Sequence, residues 1–314
     1  MKRILLSATA LSFALTASAF AADLPSHKAP AYIPPPPPPP LWTGFYGGLN
    51  AGGVFSGSDT VTTLTGNVFT NSPTIIPGSG PASALATSGV NNASTSGFIG
   101  GGQAGYNYQF GGIGIGSGVV VGLETDIQGI SSTSGGNKNF VGAATVPGAG
   151  GDFWLGVGQT SKSIDYVGTV RGRLGLLATP TLLIYGTGGL AYGGVNLNSG
   201  VFAAGVNNGG PGFAASSAFG GTGAYSDTRV GWTAGGGIEW LFLPNWSAKV
   251  EYLYYDLGSV ALNYVSVRPV PVAPGGIGII NATQTSARFN GNIIRAGVNY
   301  HFNWAAPAPV LAKY

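Results

Sequence analysis

Apolar and polar residues alternate with period two in eight segments of this chain, a pattern typical of β-strands with two chemically different faces. Each segment is close to the roughly 9 to 11 residues that a tilted transmembrane strand needs. The segments are Gly44–Val54, Gly97–Phe110, Val119–Gly129, Ser163–Gly175, Leu183–Val195, Arg229–Phe242, Trp246–Leu257 and Phe289–Phe302. The alternation therefore predicts an all-β fold built from eight strands.

Charge is confined to one face of each segment. In the seventh segment Val250 and Tyr252 share one face, while Lys249 and Glu251 share the other. The fourth segment is predicted to place Ile164, Tyr166, Val170 and Leu174 on the apolar face and Asp165, Arg171 and Arg173 on the polar face. One face of the predicted sheet is therefore apolar over the full length of the strands and suits an apolar environment.

Composition decides which side of the barrel is apolar. Charged residues make up 7% of the chain, against roughly 25% in ordinary globular proteins. A soluble barrel of the lipocalin kind has an apolar lumen and needs many exterior charges. No run after residue 21 approaches the roughly 18 apolar residues of a spanning helix, so only a closed barrel can cross a bilayer here. The prediction is an eight-stranded antiparallel up-and-down transmembrane β-barrel with lipid outside.

The first residues predict export and a division into four parts. Lys2 and Arg3 precede an apolar stretch, and Ala19 and Ala21 supply small residues for signal peptidase. An uncleaved anchor helix, the alternative, needs a longer apolar span. The expected parts are a signal peptide (1–21), a proline-rich periplasmic leader (22–41), the barrel (42–302) and a periplasmic tail (303–314).

The role of the leader stays open between two interpretations. Pro34 to Pro40 form an unbroken proline run, which favours polyproline II of about 22 Å, at about 3.1 Å per residue. The run is either a spacer or ligand for an envelope partner such as the cell wall, or a stiff leader without a partner.

Link lengths predict the orientation of the barrel. Short links at 111–118, 176–182 and 243–245 alternate with long ones at 55–96, 130–162, 196–228 and 258–288. Outer-membrane barrels place short turns in the periplasm and long loops outside, so both termini are expected in the periplasm. Aromatic residues that form one predicted girdle lie beside the short links or the termini: Phe45, Tyr106, Tyr108, Phe110, Trp240, Phe242, Trp246, Tyr300 and Phe302.

Several short motifs together resemble a known family. They are 22-ADLP-25, 42-WTGFYGGLN-50, 122-GLETD-126, 169-TVRGRLG-175, 185-YGTGGLA-191 and 249-KVEY-252. This combination resembles the alphaproteobacterial outer-membrane proteins of the RopB type, often called outer-membrane immunogenic proteins. The resemblance implies an eight-stranded barrel similar to the transmembrane domain of OmpA, with structural or surface-antigen roles.

The last strand carries the pattern of a barrel-assembly signal. Its alternating residues are Ile294, Ala296, Val298, Tyr300 and Phe302. Unlike a strictly C-terminal signal, this one is followed by twelve further residues, 303–314. The expected partners are outer-membrane lipids and the barrel-assembly machinery, and in addition cell-wall components or host surfaces.

The sequence predicts no catalytic, metal or cofactor site. Its two histidines are His27 in the leader and His301 at the end of the last strand, and neither lies in a motif with a nucleophile and a carboxylate. Cysteine is absent, and basic residues are scattered, which argues against zinc and nucleic acid. The glycine-rich stretch 186–191 lies in a strand pattern, so it lacks the strand, turn and helix of a dinucleotide fingerprint.

Inward charges are the best candidates for a mechanism. Four carboxylates and four cations are predicted to face the lumen: Glu124, Asp126, Glu239, Glu251, Arg171, Arg173, Lys249 and Arg295. An eight-stranded barrel is only wide enough for its own side chains, so these charges are expected to pair and close it. The chain is then a structural or surface-interaction protein. The alternative is a narrow passive channel.

Overall fold

Eight strands close into a ring in the computed structural model, which describes residues 41–71, 75–111, 118–132, 137–207, 217–270 and 276–302. The described elements are β1 (Gly44–Ser56), β2 (Thr60–Thr70), α1 (Ser79–Ala86), β3 (Gly89–Asn92), β4 (Gly97–Phe110), β5 (Val119–Ser132), β6 (Lys138–Thr145), β7 (Phe153–Thr179), β8 (Leu182–Val206), β9 (Ala218–Leu243), β10 (Trp246–Pro269) and β11 (Ile277–Phe302). In this part of the chain, no helix has the length and apolar character to cross a membrane.

The ring runs in the order β1-β4-β5-β7-β8-β9-β10-β11, and every pair in it is antiparallel. The register of β1 with β11, from Phe45 opposite Phe302 to Ser56 opposite Gly291, closes the sheet on itself. Closure removes the free edges that an open sheet would expose to lipid. The predicted eight-stranded antiparallel barrel is confirmed.

At one end of the barrel the strands begin and end within one residue of the prediction, except β7, which continues to Thr179, four residues beyond its predicted end. At the other end several strands extend much further. We call the end with the short turns the lower end and the opposite end the upper end. β4 has its predicted bounds, whereas β7 to β11 continue upward into segments that were predicted to be long links. Those links are therefore mostly sheet, and the barrel is taller than its membrane-spanning part.

Smaller elements complete the upper end. β2 pairs with the upper part of β11, β3 pairs with β2, and β6 pairs with the upper part of β7. Helix α1 lies against β2, β6 and β7. An apolar cluster that includes Ala82, Ala86, Trp154, Phe219 and Ile279 packs beneath these elements and covers the upper end.

The faces of the fourth predicted segment require one correction. A β-bulge between Ile164 and Tyr166 adds a residue to β7 relative to β8. Because an added residue shifts the alternation by one, Ile164 is buried inside the barrel and Asp165 is exposed, opposite to the prediction. Below the bulge the predicted faces are correct, with Arg171 and Arg173 inside and Val170 and Leu174 outside.

The outer surface of the lower half is apolar. Leu123, Leu174, Ile238, Val250 and Ile294 are all more than half exposed there, beside buried charges on the same strands. The nine residues of the predicted girdle are exposed at the lower end, where Phe45 stacks edge-on against Tyr106 and Trp246 against Tyr300. This arrangement suits lipid on the outside.

Three of the four predicted parts lie wholly or almost wholly outside the described residues. These are the signal peptide with its cleavage site at Ala19 and Ala21, the leader except for Leu41, and the tail at 303–314. Their boundaries stay predictions.

Candidate functional site in the barrel lumen

Eight buried charged side chains meet in the lower half of the lumen. β5 carries Glu124 and Asp126, β7 carries Arg171 and Arg173, β9 carries Glu239, β10 carries Lys249 and Glu251, and β11 carries Arg295. Each is at most 3% exposed. We call this set the charge layer. These residues point inward because each lies on the inner face of its strand, opposite the lipid-facing residues.

Arg171 lies at the centre of the charge layer. Its guanidinium is 2.5 Å from Glu124, 2.8 Å from Asp126 and 2.8 Å from Glu251. Glu124 is the direct cross-strand partner of Arg171, whereas Glu251 lies three strands away around the ring. One guanidinium therefore joins the two walls of the barrel, and its fork of donors suits several carboxylates at once.

Two further cations cross the lumen. Lys249 Nζ lies 2.8 Å from Glu124 Oε1, on the strand diametrically opposite in the ring. Arg295 contacts Glu251 at 2.5 Å and Asp126 at 2.8 Å. Because every carboxylate in this group faces at least two cations, the repulsion between like charges is offset within the layer.

Arg173 and Glu239 form the lower part of the charge layer, 2.6 Å apart. The Tyr46 hydroxyl joins this pair to the rest, because it donates to Glu124 at 2.7 Å and accepts from Arg173 at 2.9 Å. Glu239 also accepts from Ser247 and Asn299. The charge layer is thus one connected network with four charges of each sign.

Sequence reasoning missed the neutral partners of this network. Tyr46, Tyr185 and Thr169 all donate to its carboxylates, and Arg173 lies 4.0 Å above the centre of the Tyr185 ring. Tyr46 alternates with the outward-facing Phe45, so parity alone would have placed it inside. Its aromatic character hid that signal, because aromatic residues were assigned to the lipid side.

An apolar floor closes the lumen below the charge layer. It consists of Trp42, Val120, Leu177, Leu183, Tyr185 and Leu241. Trp42 is fully buried, and its indole Nε1 donates to the carbonyl of Pro180 at 3.0 Å. Pro180 lies in the turn between β7 and β8, which are three and four strands from β1 in the ring, so this side chain spans the lower mouth.

An apolar layer fills the lumen above the charge layer. Its members are buried residues of several strands, among them Val54, Ile99, Ile164, Leu253, Leu257, Leu262, Phe289 and Ile293. Higher still, hydroxyl groups of Thr63, Thr285 and Ser199 bond to one another across the lumen. The charge layer is therefore enclosed by apolar side chains above and below.

His301 is buried beside a serine and a carboxylate, but in an order unlike that of a hydrolase. The Ser247 hydroxyl lies between Glu239 Oε1, at 2.6 Å, and His301 Nε2, at 2.9 Å. A catalytic triad needs the histidine between the serine and the acid. The ring of His301 also packs against Trp42 at a centroid distance of 5.7 Å, so the floor covers it.

The remaining predicted sites have no ligand-like geometry. Ile294, Ala296, Val298, Tyr300 and Phe302 all lie on the exposed outer face of β11, and their role in assembly stays a prediction. Within the described ranges, no group of three or more histidine, cysteine, aspartate or glutamate residues is placed to hold a metal ion.

The fold and its two faces define a class of protein, an outer-membrane β-barrel with an apolar exterior and a charged, filled interior. Residues 7–302 match the family described as the outer membrane protein beta-barrel domain, and the chain belongs to that family. It is 33% identical over 311 residues to the 31 kDa outer-membrane immunogenic proteins of Brucella melitensis and Brucella suis, with 96% of this chain and 100% of each relative covered.

Solved structures of outer-membrane barrels are similar at a lower level. OprG from Pseudomonas aeruginosa aligns with a TM-score of 0.34 and 10% identity, covering 83% of this chain and 97% of OprG. The predicted family, related to outer-membrane immunogenic proteins, is confirmed by the sequence matches.

Proposed function

We propose that this protein is a non-enzymatic outer-membrane barrel with a structural and surface-interaction role, and that ion pairs close its lumen. One observation carries the proposal: the eight charges of the charge layer pair with one another across the lumen, between two apolar layers. A pore needs a continuous polar path, which these layers interrupt.

Desolvation explains why such a lumen excludes ions. An ion that enters must displace a partner of Arg171 or Arg295, whose paired side chains are fully buried. Breaking a buried pair leaves the other charge uncompensated, at a cost of about 3 to 5 kcal/mol. The apolar layer above offers the same ion few polar groups in exchange for its water.

Single-channel recording of the refolded full chain tests this proposal. The unmutated barrel is expected to conduct little or nothing, and Arg171→Ala is expected to raise conductance or destabilise the barrel. Lys138→Ala, which removes an exposed charge from β6 in the upper half, serves as the control and should change neither. Steady, large conductance of the unmutated protein would instead establish a narrow passive channel.

The same proposal includes the route to the membrane. It comprises cleavage after Ala21, termini in the periplasm and assembly through the signal in β11. Relatives named as immunogenic outer-membrane proteins support exposure of the upper end to host surfaces. Sequencing of the mature N-terminus, together with protease digestion of intact and of opened cells, tests the cleavage and the topology. An intact Met1 in the membrane fraction would contradict it.

A further inference from the structure

An uncharged polar groove lies on the outer wall of the upper half, over β7, β8 and β9. Its volume is about 430 Å³, within the range of small-molecule sites. Gly200 lies between Gln159 and Thr222 in the register of the three strands, and Asn198 lies beside Ala224. Because Gly200 and Ala224 have little or no side chain, the longer side chains around them enclose a depression. We call this depression the polar groove.

The polar groove offers hydrogen-bonding groups that are not used within the protein. The side chains of Gln159, Asn198 and Thr222 are exposed, and none of them bonds to another described residue. Each amide supplies two N–H donors and one acceptor, and the hydroxyl both donates and accepts. None of the described residues that line the groove carries a charge. The groove therefore suits an uncharged ligand that is rich in both donors and acceptors.

A peptide strand does not bind here by extending the sheet. From Leu197 to Ala204, β8 is bonded to β7 on one edge and to β9 on the other. Strand addition needs an edge with free N–H and C=O groups. The backbone beneath the polar groove is already paired within the sheet, so a ligand meets side chains only.

An exposed aromatic ring borders the polar groove on its upper side. Phe202 is 49% exposed and lies on the same outer face as Gly200, two residues further up β8. Its ring is an apolar surface beside amide and hydroxyl groups. A sugar has both matching parts, because its hydroxyl groups lie at the edge of the ring and its C–H groups form an apolar face. This combination favours an uncharged saccharide over other polar ligands.

The same three strands present lipid-facing side chains below the polar groove. Val170 on β7, Leu190 on β8 and Val230 on β9 are 49%, 59% and 66% exposed. Asn198 lies eight residues beyond Leu190, which is about 26 Å along the strand at about 3.3 Å per residue. At a strand tilt of roughly 40°, this places it about 20 Å higher along the membrane normal. A lipid whose acyl chains contact these residues reaches the groove only if its head is a chain of several sugars.

We propose that the polar groove binds uncharged sugars in the head of a glycolipid from the outer leaflet of the same membrane. The amide and hydroxyl groups bond to sugar hydroxyls, and the acyl chains contact the apolar wall below. Both contacts belong to one molecule, so binding at one raises the effective concentration at the other. This inference rests on the proposed outward orientation of the upper end, and it names a ligand for the surface-interaction role.

Titration of the refolded full chain in detergent micelles tests the proposal. The two probes are rough-type lipopolysaccharide, which carries a short oligosaccharide, and lipid A, which has the same acyl chains without that oligosaccharide. Native mass spectrometry measures the bound fraction of each probe. Lipopolysaccharide should bind at least tenfold more tightly than lipid A, because two or more hydrogen bonds to the sugars contribute about fivefold each.

Matched variants separate the polar groove from the rest of the outer wall. Ala224 and Ala282 are both exposed on the outer face of the upper half, on β9 and β11. Ala224→Phe fills the groove and should remove the preference for lipopolysaccharide, whereas Ala282→Phe should retain it. Asn198→Ala should weaken lipopolysaccharide binding about fivefold, the effect of one hydrogen bond, and Gln284→Ala should not. Circular dichroism and heat-modifiable migration check that each variant folds.

Three results would overturn the inference. Equal affinity for lipopolysaccharide and lipid A would show that the oligosaccharide makes no contact. A preference that survives both Ala224→Phe and Asn198→Ala would place the sugars elsewhere on the wall. Free lacto-N-tetraose, an uncharged host-type tetrasaccharide, should bind weakly, and an affinity equal to that of lipopolysaccharide would assign the groove to host sugars instead. Micelles impose no orientation and the conductance test concerns the lumen, so this inference and the proposed function fail separately.

Discussion

The lower and upper halves of the barrel are built from the same strands but have opposite interiors. In the lower half of β10, Lys249 and Glu251 face inward and Val250 faces outward. In the upper half, Val260 and Leu262 face inward and Asn263 faces outward. We attribute this difference to the surroundings, because we expect lipid around the lower half and water around the upper half. The inner face of β10 thus changes from charged to apolar along its length, while its outer face in the upper half carries both Asn263 and Val265.

β-bulges lie where this reversal occurs. One bulge separates Ile164 from Tyr166 in β7, and another separates Asp256 from Ser259 in β10. Each adds one residue, so the numbers of the inward positions change along the chain from even to odd in β7 and from odd to even in β10.

Removal of a central charge should have the largest effect. Arg171→Ala removes one of the two cations that Glu124, Asp126 and Glu251 share, which we expect to lower the free energy of unfolding by about 3 to 5 kcal/mol. Folding titrations in urea with phospholipid vesicles measure it. The double variant Arg171→Ala/Glu251→Ala should lower the free energy of unfolding by less than the sum of the two single variants, because the two residues form a coupled pair. Strict additivity in this cycle would show that the two residues do not interact.

A charge on the outer surface should distinguish lipid from water. Val250 and Val265 lie on the outer face of the same strand and are 61% and 59% exposed. Val250→Arg should lower the free energy of unfolding by about 2 to 4 kcal/mol if Val250 lies near the bilayer midplane. Val265→Arg, in the upper half, should be nearly neutral in the same vesicle titration. Equal costs at both positions would place the membrane boundary elsewhere.

The apolar layer should respond like the core of a soluble protein. Ile293 is 1% exposed inside the barrel, and its neighbour Ile294 is 52% exposed on the lipid side. Ile293→Val should cost about 0.5 to 1.5 kcal/mol because it opens a cavity, whereas Ile294→Val only exchanges one lipid contact for another. Folding titrations under the same conditions measure the difference in the free energy of unfolding between the two variants. A larger cost at Ile294 would mean that the layer is loosely packed.

Lys162 should give the upper half a weak dependence on pH. Burial lowers the pKa of this lysine to about 8, although the charge of Asp59 partly offsets the effect. The folded state then binds the proton less tightly than the unfolded state, so stability should rise with pH from about 8 towards the unfolded pKa near 10.4. Lys162→Met should remove this rise, and the exposed Lys138→Met should retain it. Unfolding titrations at pH 7 and pH 10 check both.

The lower half could be predicted from the sequence because lipid requires a strict alternation there. The bounds of β4 and the facing of Lys249, Val250 and Glu251 follow directly from that requirement. The upper half could not, because its strands are rich in glycine, serine, asparagine and threonine, which also form loops. A bulge has no signal in the alternation itself, so Ile164 and Asp165 were assigned to the wrong faces.

The composition of the charge layer was predictable, but its connections were not. Parity places each of the eight side chains inside the barrel, yet it gives no distance across the lumen. Lys249 has Glu239 as its direct neighbour in the register, and its amine instead contacts Glu124 on the opposite wall. A long side chain can reach several partners, and the packing in the lumen determines which of them it contacts. The alternation along the sequence does not specify that packing.

Trp42 also has a mechanical consequence. Its indole reaches across the lower mouth to Pro180, while its backbone N–H donates to the Gln109 side chain on β4. Any tension on the chain before Leu41 therefore loads two distant points of the wall together, and not the end of β1 alone. A pull on the chain must therefore break the contacts of Trp42 with Gln109 and Pro180 before it can peel β1 from its neighbours.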